Sequence, residues 1–310
     1  MKMIVGNTGF VGGNIYASGE FDTAFHSTNI EQAYCLEPDL LVYAGLRAEK
    51  YLANNFPDKD YNAIEQAYAN IVHIKPKKVV LISTIDVYKH PVDVDEDTVI
   101  ETAGLHPYGY NRYRLEQMIC DSGIDSLIIR LPGLYGEGLK KNFLYDIIHR
   151  IPSMLTAKKF AELYAMNSDL GKAYEIRENG FYQLKVLEPI QRKSINAFFE
   201  TCGFNALHFT DSRSLFQMYP LRFLWKHIQM ALAANLCCLN IAVEPVCASE
   251  IFENLYCEEF KNILERPIAN YRMRTKHDSL FSGKDGYIFD KAFLLDDIIH
   301  FLRVNIDKLG

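Results

Sequence analysis

The chain opens on a short apolar strand, Met1–Val5, and passes at once into Gly6-Asn7-Thr8-Gly9-Phe10-Val11-Gly12 and a predicted helix over about Gly12–Ser18. Glycines spaced by three between a strand and a helix constrain the fold more than any other feature. They are needed where backbone turns tightly or approaches a ligand, and the unbonded N–H groups that open the helix attract phosphate. The plainer alternative is a tight glycine turn with no ligand, and the strand–turn–helix setting weighs against it.

The rest of the first half repeats the alternation. Strands are predicted at Ala24–His26, Asp39–Tyr43, Lys78–Ser83 and Ser126–Leu131, with helices at Tyr61–His73 and Gly109–Ser122. Leu40–Val42 and Val79–Ile82 are apolar without alternation, as in central strands covered on both faces. The pattern implies an α/β fold, a Rossmann-type doubly wound parallel sheet with a smaller, mixed α/β C-terminal substrate lobe. Residues 1–135 are expected to form the dinucleotide-binding domain. Residues 136–310 should form mainly the substrate lobe, with some segments returning to the first domain. In that lobe helices are expected at Asn142–Arg150, Lys193–Cys202, Pro220–Ala234 and Ala248–Tyr256, and strands at Phe181–Val186 and Leu239–Val243.

Composition closes off other classes. The formal net charge of -6, without a basic stripe, argues against a nucleic-acid partner. The longest nearly apolar stretch, Met230–Val243, is too short to span a bilayer and is broken by Asn235 and Asn240, so no membrane partner is expected. A strand beginning at Met1 leaves no place for a signal peptide, and a cytoplasmic location is expected. The seven cysteines form no C-x-x-C pair and the nine histidines no metal-ligand spacing, so free thiols and no metal are expected.

Three further motifs follow in order. Ser83-Thr84-Ile85-Asp86-Val87-Tyr88 ends a strand, Pro107-Tyr108-Gly109-Tyr110-Asn111-Arg112-Tyr113-Arg114-Leu115-Glu116 opens a helix, and Arg130-Leu131-Pro132-Gly133-Leu134-Tyr135-Gly136 follows the next strand. With the glycine loop, these resemble the G-x-x-G-x-x-G, S/T-x-x-V-Y, P-Y-G-x-x-K-x-x-x-E and R-x-x-x-x-Y-G segments of the extended short-chain dehydrogenases/reductases, the NAD-dependent epimerases and dehydratases of nucleotide sugars. The resemblance covers the first 136 residues.

It implies NAD or NADP as cofactor, with NAD favoured, and a nucleotide-sugar substrate. It implies Tyr108 as acid/base, Thr84 bonding the same substrate oxygen, and a catalytic cation at Arg112. A free phenol ionises near a pKa of roughly 10, so its anion needs a nearby positive charge. Arg112 stands where the family carries Lys; its planar fork is not interchangeable with an ammonium, and Arg114 is off the spacing. The cofactor would be met by Gly6, Thr8, Gly9, Phe10, Val11, Gly12, Ser27, Ala44, Gly45, Asn62, Arg112 and Leu131. After the second strand, Phe25-His26-Ser27-Thr28-Asn29 holds neither the Asp nor the Arg that would decide between NAD and NADP.

Asp86, Asn142 and Arg274 are the expected substrate contacts, the last within the basic stretch Arg272-Met273-Arg274-Thr275-Lys276-His277-Asp278. Family 4,6-dehydratases follow the Thr with an Asp–Glu pair; Ile85 and Asp86 stand there, which disfavours dehydration and leaves epimerisation or reduction. The alternative is a catalytically silent NAD(P)-binding sensor or scaffold, and the family pattern admits a homodimer.

Overall fold

Short strands with unbroken apolar centres have one way to bury both faces, a parallel sheet flanked by helices. The computed structural model, which describes residues 1–177 and 179–308, contains that sheet. Its strands are β1 (Lys2–Val5), β2 (Thr23–Phe25), β3 (Leu40–Tyr43), β4 (Lys78–Thr84), β5 (Asp125–Leu131) and β6 (Cys238–Asn240), all paired in parallel in the order β6-β5-β4-β3-β1-β2. The chain leaves β1 toward β2 and then returns past it to β3, so the winding reverses between β1 and β3. In sheets of this kind a ligand crevice lies at the carboxyl ends of the strands at that reversal.

The helices of this unit that bear on the site are α1 (Phe10–Tyr16), α2 (Lys50–Asn55), α3 (Pro57–Ile74) and α4 (Pro107–Asp121). Both α3 and α4 start earlier than their apolar periodicity indicates, because Pro57 and Pro107 preset the first helical turn without needing an N–H bond. Ile64, Ala67, Ile71 and Ile74 recur at helical spacing on α3. With Leu115 and Ile119 of α4 they pack on Met3, Val5, Leu41, Tyr43, Val79 and Leu81 of the sheet. Each such aliphatic side chain contributes about 1.5–3 kcal/mol on burial. The expected strand Leu239–Val243 is shorter, since Gln217 reaches in to bond the carbonyl of Val243.

A polar network lies inside the same unit. Glu116 on α4 accepts from Arg130 Nη2 on β5 at 2.7 Å and from the hydroxyl of Ser83 on β4. Arg130 Nη1 donates to the Tyr88 hydroxyl at 2.7 Å; Asn240 Nδ2 of β6 donates to the same oxygen at 3.0 Å. Glu116 and Arg130 are both buried, and burial pushes the Tyr88 phenol up to about 12 although Arg130 and Asn240 oppose the shift.

The first unit comprises Met1–Leu139, Leu215–Val246 and Ala269–Asp296; the second comprises Lys140–Ser214, Cys247–Ile268 and the chain from Asp297. In the second, Ile151, Leu155, Phe160, Leu163, Leu170, Tyr174, Ile195 and Phe199 form a core beside an antiparallel sheet of Met154–Leu155, Tyr182–Leu184 and Tyr174–Ile176. Phe160 and Tyr182 stack at 3.8 Å within it. No helix among the described residues is long and apolar enough to cross a membrane.

Glu116→Ala leaves the Arg130 guanidinium buried without its counter-charge, and is expected to cost about 3–5 kcal/mol in urea unfolding. The apolar pair Glu116→Leu with Arg130→Met should recover most of that loss. A phenol raised from 10.0 to about 12 keeps its proton in the fold, so its stabilising contribution is whole below the unfolded value and is lost as pH rises toward about 12. Tyr88→Phe should flatten the alkaline limb of a stability–pH curve in that window.

Candidate active site

The glycine loop after β1 is packed against the loop after β3. At Gly6, whose φ is +95°, a Cβ would stand 2.4 Å from the Ala44 carbonyl oxygen. At Gly12 it would meet the Gly6 oxygen at 2.2 Å and the Ala44 side chain at 3.3 Å. These two glycines are demanded by the protein's own packing. Gly9 is different: it has ordinary extended backbone, and an added Cβ would meet only the Gly6 oxygen at 3.3 Å. The bare face at Gly9, beside the unbonded N–H groups that open α1, has room for a phosphate-bearing ligand to approach the backbone. Thr8 is exposed there, and the Asn7 side-chain oxygen is buried with no hydrogen-bond partner. A dinucleotide pyrophosphate fits the bare Gly9 backbone and the open N–H groups, while the Asn7 oxygen, an acceptor, calls for a donor such as a ribose hydroxyl.

Thr84 ends β4, and its hydroxyl caps the short turn Ile85–Val87 by accepting from Asp86 N–H at 3.2 Å. The same side chain lies beside the phenol of Tyr108 in the first turn of α4 and favours its anion. Gly109 makes this approach possible, because a Cβ there would lie 1.9 Å from the Asp86 carbonyl oxygen. The Tyr108 amide, one of the N–H groups left open at a helix start, donates to Asn54 Oδ1 on α2 at 3.0 Å. Leu131 faces Thr84 in register across β5.

Arg112 lies one turn further along α4, its guanidinium carbon 4.5 Å from the centre of the Tyr108 ring. Its Nη1 donates to Asp60 Oδ2 at 2.7 Å and its Nη2 to the Arg47 carbonyl at 2.8 Å. Asn111 Nδ2 adds a bond to the same Asp60 oxygen at 2.9 Å. Burial raises the Tyr108 phenol above its ordinary value; Arg112, Thr84 and Lys50 favour the anion, Asp86 opposes it, and the net shift stays upward. Tyr108 therefore carries its proton near neutral pH.

A second charged group faces the phenol. Lys50 Nζ on α2 donates to Asp86 Oδ1 at 2.6 Å, with the Tyr271 phenol near it. His106, the N-cap of α4, accepts from Gly109 N–H at 3.1 Å through Nδ1 and turns Nε2 toward Asp86 at 3.8 Å. Accepting at Nδ1 leaves the ring proton on Nε2, on the side of the carboxylate. Burial works against the Asp86 charge, yet His106 and Lys50 outweigh it and hold the carboxyl below its usual range.

The structure thus brings Thr84, Asp86, Tyr108 and Arg112 together, and packs Gly6 and Gly12 against Ala44 close to Gly45. Phe10 and Val11 open α1 beside them. Ser27 is exposed after β2, where Asn29 Oδ1 accepts from His26 N–H. Asn62 lies exposed on α3, and Asp60, two residues earlier, makes the contacts to Asn111 and Arg112. Arg274 is engaged by Asp93 at 3.2 Å and by the Asp285 carbonyl at 2.7 Å. Asn142, in the second unit, caps the helix Phe143–Ile148 by accepting from Tyr145 N–H at 3.1 Å. No cluster of residues suited to a metal ion occurs among the described residues.

Lys50, Asn54, Asp60, His106 and Tyr271 escaped the sequence reading. Of these only His106 carried a local signal, as the residue before a helix-opening proline. The others reach the site across long stretches of chain from segments without a motif.

No protein-family model matches the sequence, and no curated protein matches it either. Solved structures do. A UDP-galactose 4-epimerase is 14% identical, with 99% of this chain and 100% of that one covered at a TM-score of 0.62. A dTDP-4-dehydrorhamnose reductase from Yersinia enterocolitica is 13% identical over 98% of each chain, TM-score 0.62. The corresponding reductase from Bacillus anthracis, in complex with NADP, is 16% identical over 98% of each chain, TM-score 0.60. Identities this low speak to architecture, and the chain has the fold that these reductases and this epimerase share, that of the extended short-chain dehydrogenases/reductases.

Proposed function

We propose that this chain is an NAD(P)-dependent epimerase or reductase of a nucleotide-activated sugar, with Tyr108 as its acid/base. The observation that carries the reading is the Tyr108 phenol itself, beside Thr84 at the carboxyl end of β4 and overlaid by the Arg112 guanidinium. The substrate class follows from the matched epimerase and reductases, which act on UDP- and dTDP-linked sugars, and the cofactor class from the NADP held by one of them.

In this reading the bare backbone at Gly9 and the N–H groups of Phe10 and Val11 hold the pyrophosphate, and Ala44 and Gly45 border the nicotinamide. The dinucleotide, when bound, supplies hydride transfer. Thr84 donates a hydrogen bond to the reacting sugar oxygen and Tyr108 passes the proton. A buried phenol that keeps its proton near neutral pH is suited to donating as a carbonyl is reduced, so its acid form should serve until pH rises above the ordinary phenol range. Ile85, buried and apolar, offers no proton where family dehydratases carry an acid, so elimination is not part of the reading.

Thermal-shift titrations with NAD⁺, NADH, NADP⁺ and NADPH, with and without UDP- and dTDP-sugars, test it first. A ligand that binds only the folded state adds about 2.7 kcal/mol at a hundredfold excess over its Kd. One dinucleotide should raise the transition and a nucleotide sugar should raise it further; no shift with any dinucleotide overturns the reading. Gly9→Val should fold and lose the dinucleotide shift. Gly12→Ala, which drives a methyl into the Gly6 carbonyl, should lose stability with or without ligand. Tyr108→Phe should keep the shift and lose roughly 10²–10⁴ in turnover; an unchanged rate would remove Tyr108 from the chemistry.

A further inference from the structure

Arg112 occupies the place of a family lysine, and its surroundings indicate how it differs. Its side chain is 5% exposed. One terminal nitrogen is bonded to Asp60 at 2.7 Å and the other to the Arg47 carbonyl at 2.8 Å, which leaves little surface for a ligand. The guanidinium instead lies 4.5 Å from the Tyr108 ring centre, close enough for cation–π attraction. Asp60 is in turn fixed by Asn111 and sits in the first turn of α3, where the helix end favours a negative charge.

We propose that Asp60 is a positioning residue that clamps Arg112 against the Tyr108 ring, so that Arg112 acts on the ionisation of the phenol and not on binding of the dinucleotide. This deepens the reading above, and rests on it only for the claim that the phenol transfers a proton. The clamp also tempers the cation. A carboxylate at 2.7 Å cancels part of the field that Arg112 exerts on Tyr108, and the paired Lys50 and Asp86 on the other side do the same to each other. The groups facing the phenol are therefore Arg112 on α4, Lys50 on α2, and Asp86 with Thr84 at the end of β4; Asp60 on α3 bonds Arg112, and His106 and Tyr271 adjoin Asp86 and Lys50.

Ultraviolet pH titration of tyrosinate, taken as the difference between each protein and its Tyr108→Phe counterpart, isolates the Tyr108 step. Arg112→Met should move that step up by about one pH unit or more, a tenfold change in ionisation constant. Asp60→Asn keeps an oxygen toward the guanidinium but removes the charge, and should move the step down. The Kd for NADH and NADPH, measured by fluorescence titration, should change less than about threefold in both variants, against the tenfold per 1.4 kcal/mol that a lost direct contact would give. A Tyr108 step unmoved by either substitution overturns the proposal. So does a Kd for the bound dinucleotide raised tenfold in Arg112→Met. Should Arg112→Met fail to fold, Asp60→Asn decides the matter through the direction of its shift. Failure of the wild type to bind either dinucleotide would defeat the functional reading, while the tyrosinate titration would still judge Asp60.

Discussion

The buried pair of Glu116 and Arg130 is the interaction on which the rest of this site depends. Arg130 is a β5 residue and Glu116 an α4 residue, and between them they hold Ser83 of β4 and, through Tyr88, Asn240 of β6. An ion pair taken out of water gains little net stability, but it has very few acceptable geometries. That geometric demand fixes the roll of α4 about its axis and its height above the sheet. Tyr108 is two turns back along the same helix, so the position of its phenol against Thr84 is set by a contact that takes no part in the chemistry.

Much of this was legible in the sequence because the informative residues sit at fixed offsets within single elements. Gly6, Gly9 and Gly12 span one turn, Thr84 ends a strand, and Tyr108, Arg112 and Glu116 share one face of one helix at spacings of four. Ser83, Tyr88, Glu116 and Arg130 belong to the same motifs but turn out to be the frame of the site. Residues that arrive from elsewhere in the chain left no such trace. Asp60 is an ordinary acidic residue near a helix start, and Asn62 drew attention through family pattern while its neighbour made the contacts. Lys50 and Asn54 lie in a six-residue helix whose amphipathic signal is too short to read.

Charge around the phenol is arranged in two compensated pairs, Arg112 with Asp60 and Lys50 with Asp86. Each cation is thereby held in place, and neither presents its full field to Tyr108. Burial then dominates, and the phenol stays protonated. An isolated cation at either position would pull it toward the anion, so the balance between the pairs sets whether this site rests as an acid or as a base.

Residues 44–55 form one continuous strap across both halves of the site. At one end the Ala44 carbonyl bears on Gly6 and Gly45 lies against Val5. Further along, the Arg47 carbonyl holds Arg112, Lys50 holds Asp86, and Asn54 holds the amide of Tyr108. The strap thus joins the wall of the glycine loop to the helix that carries the tyrosine, so that one dozen residues of backbone frame both ends of the site.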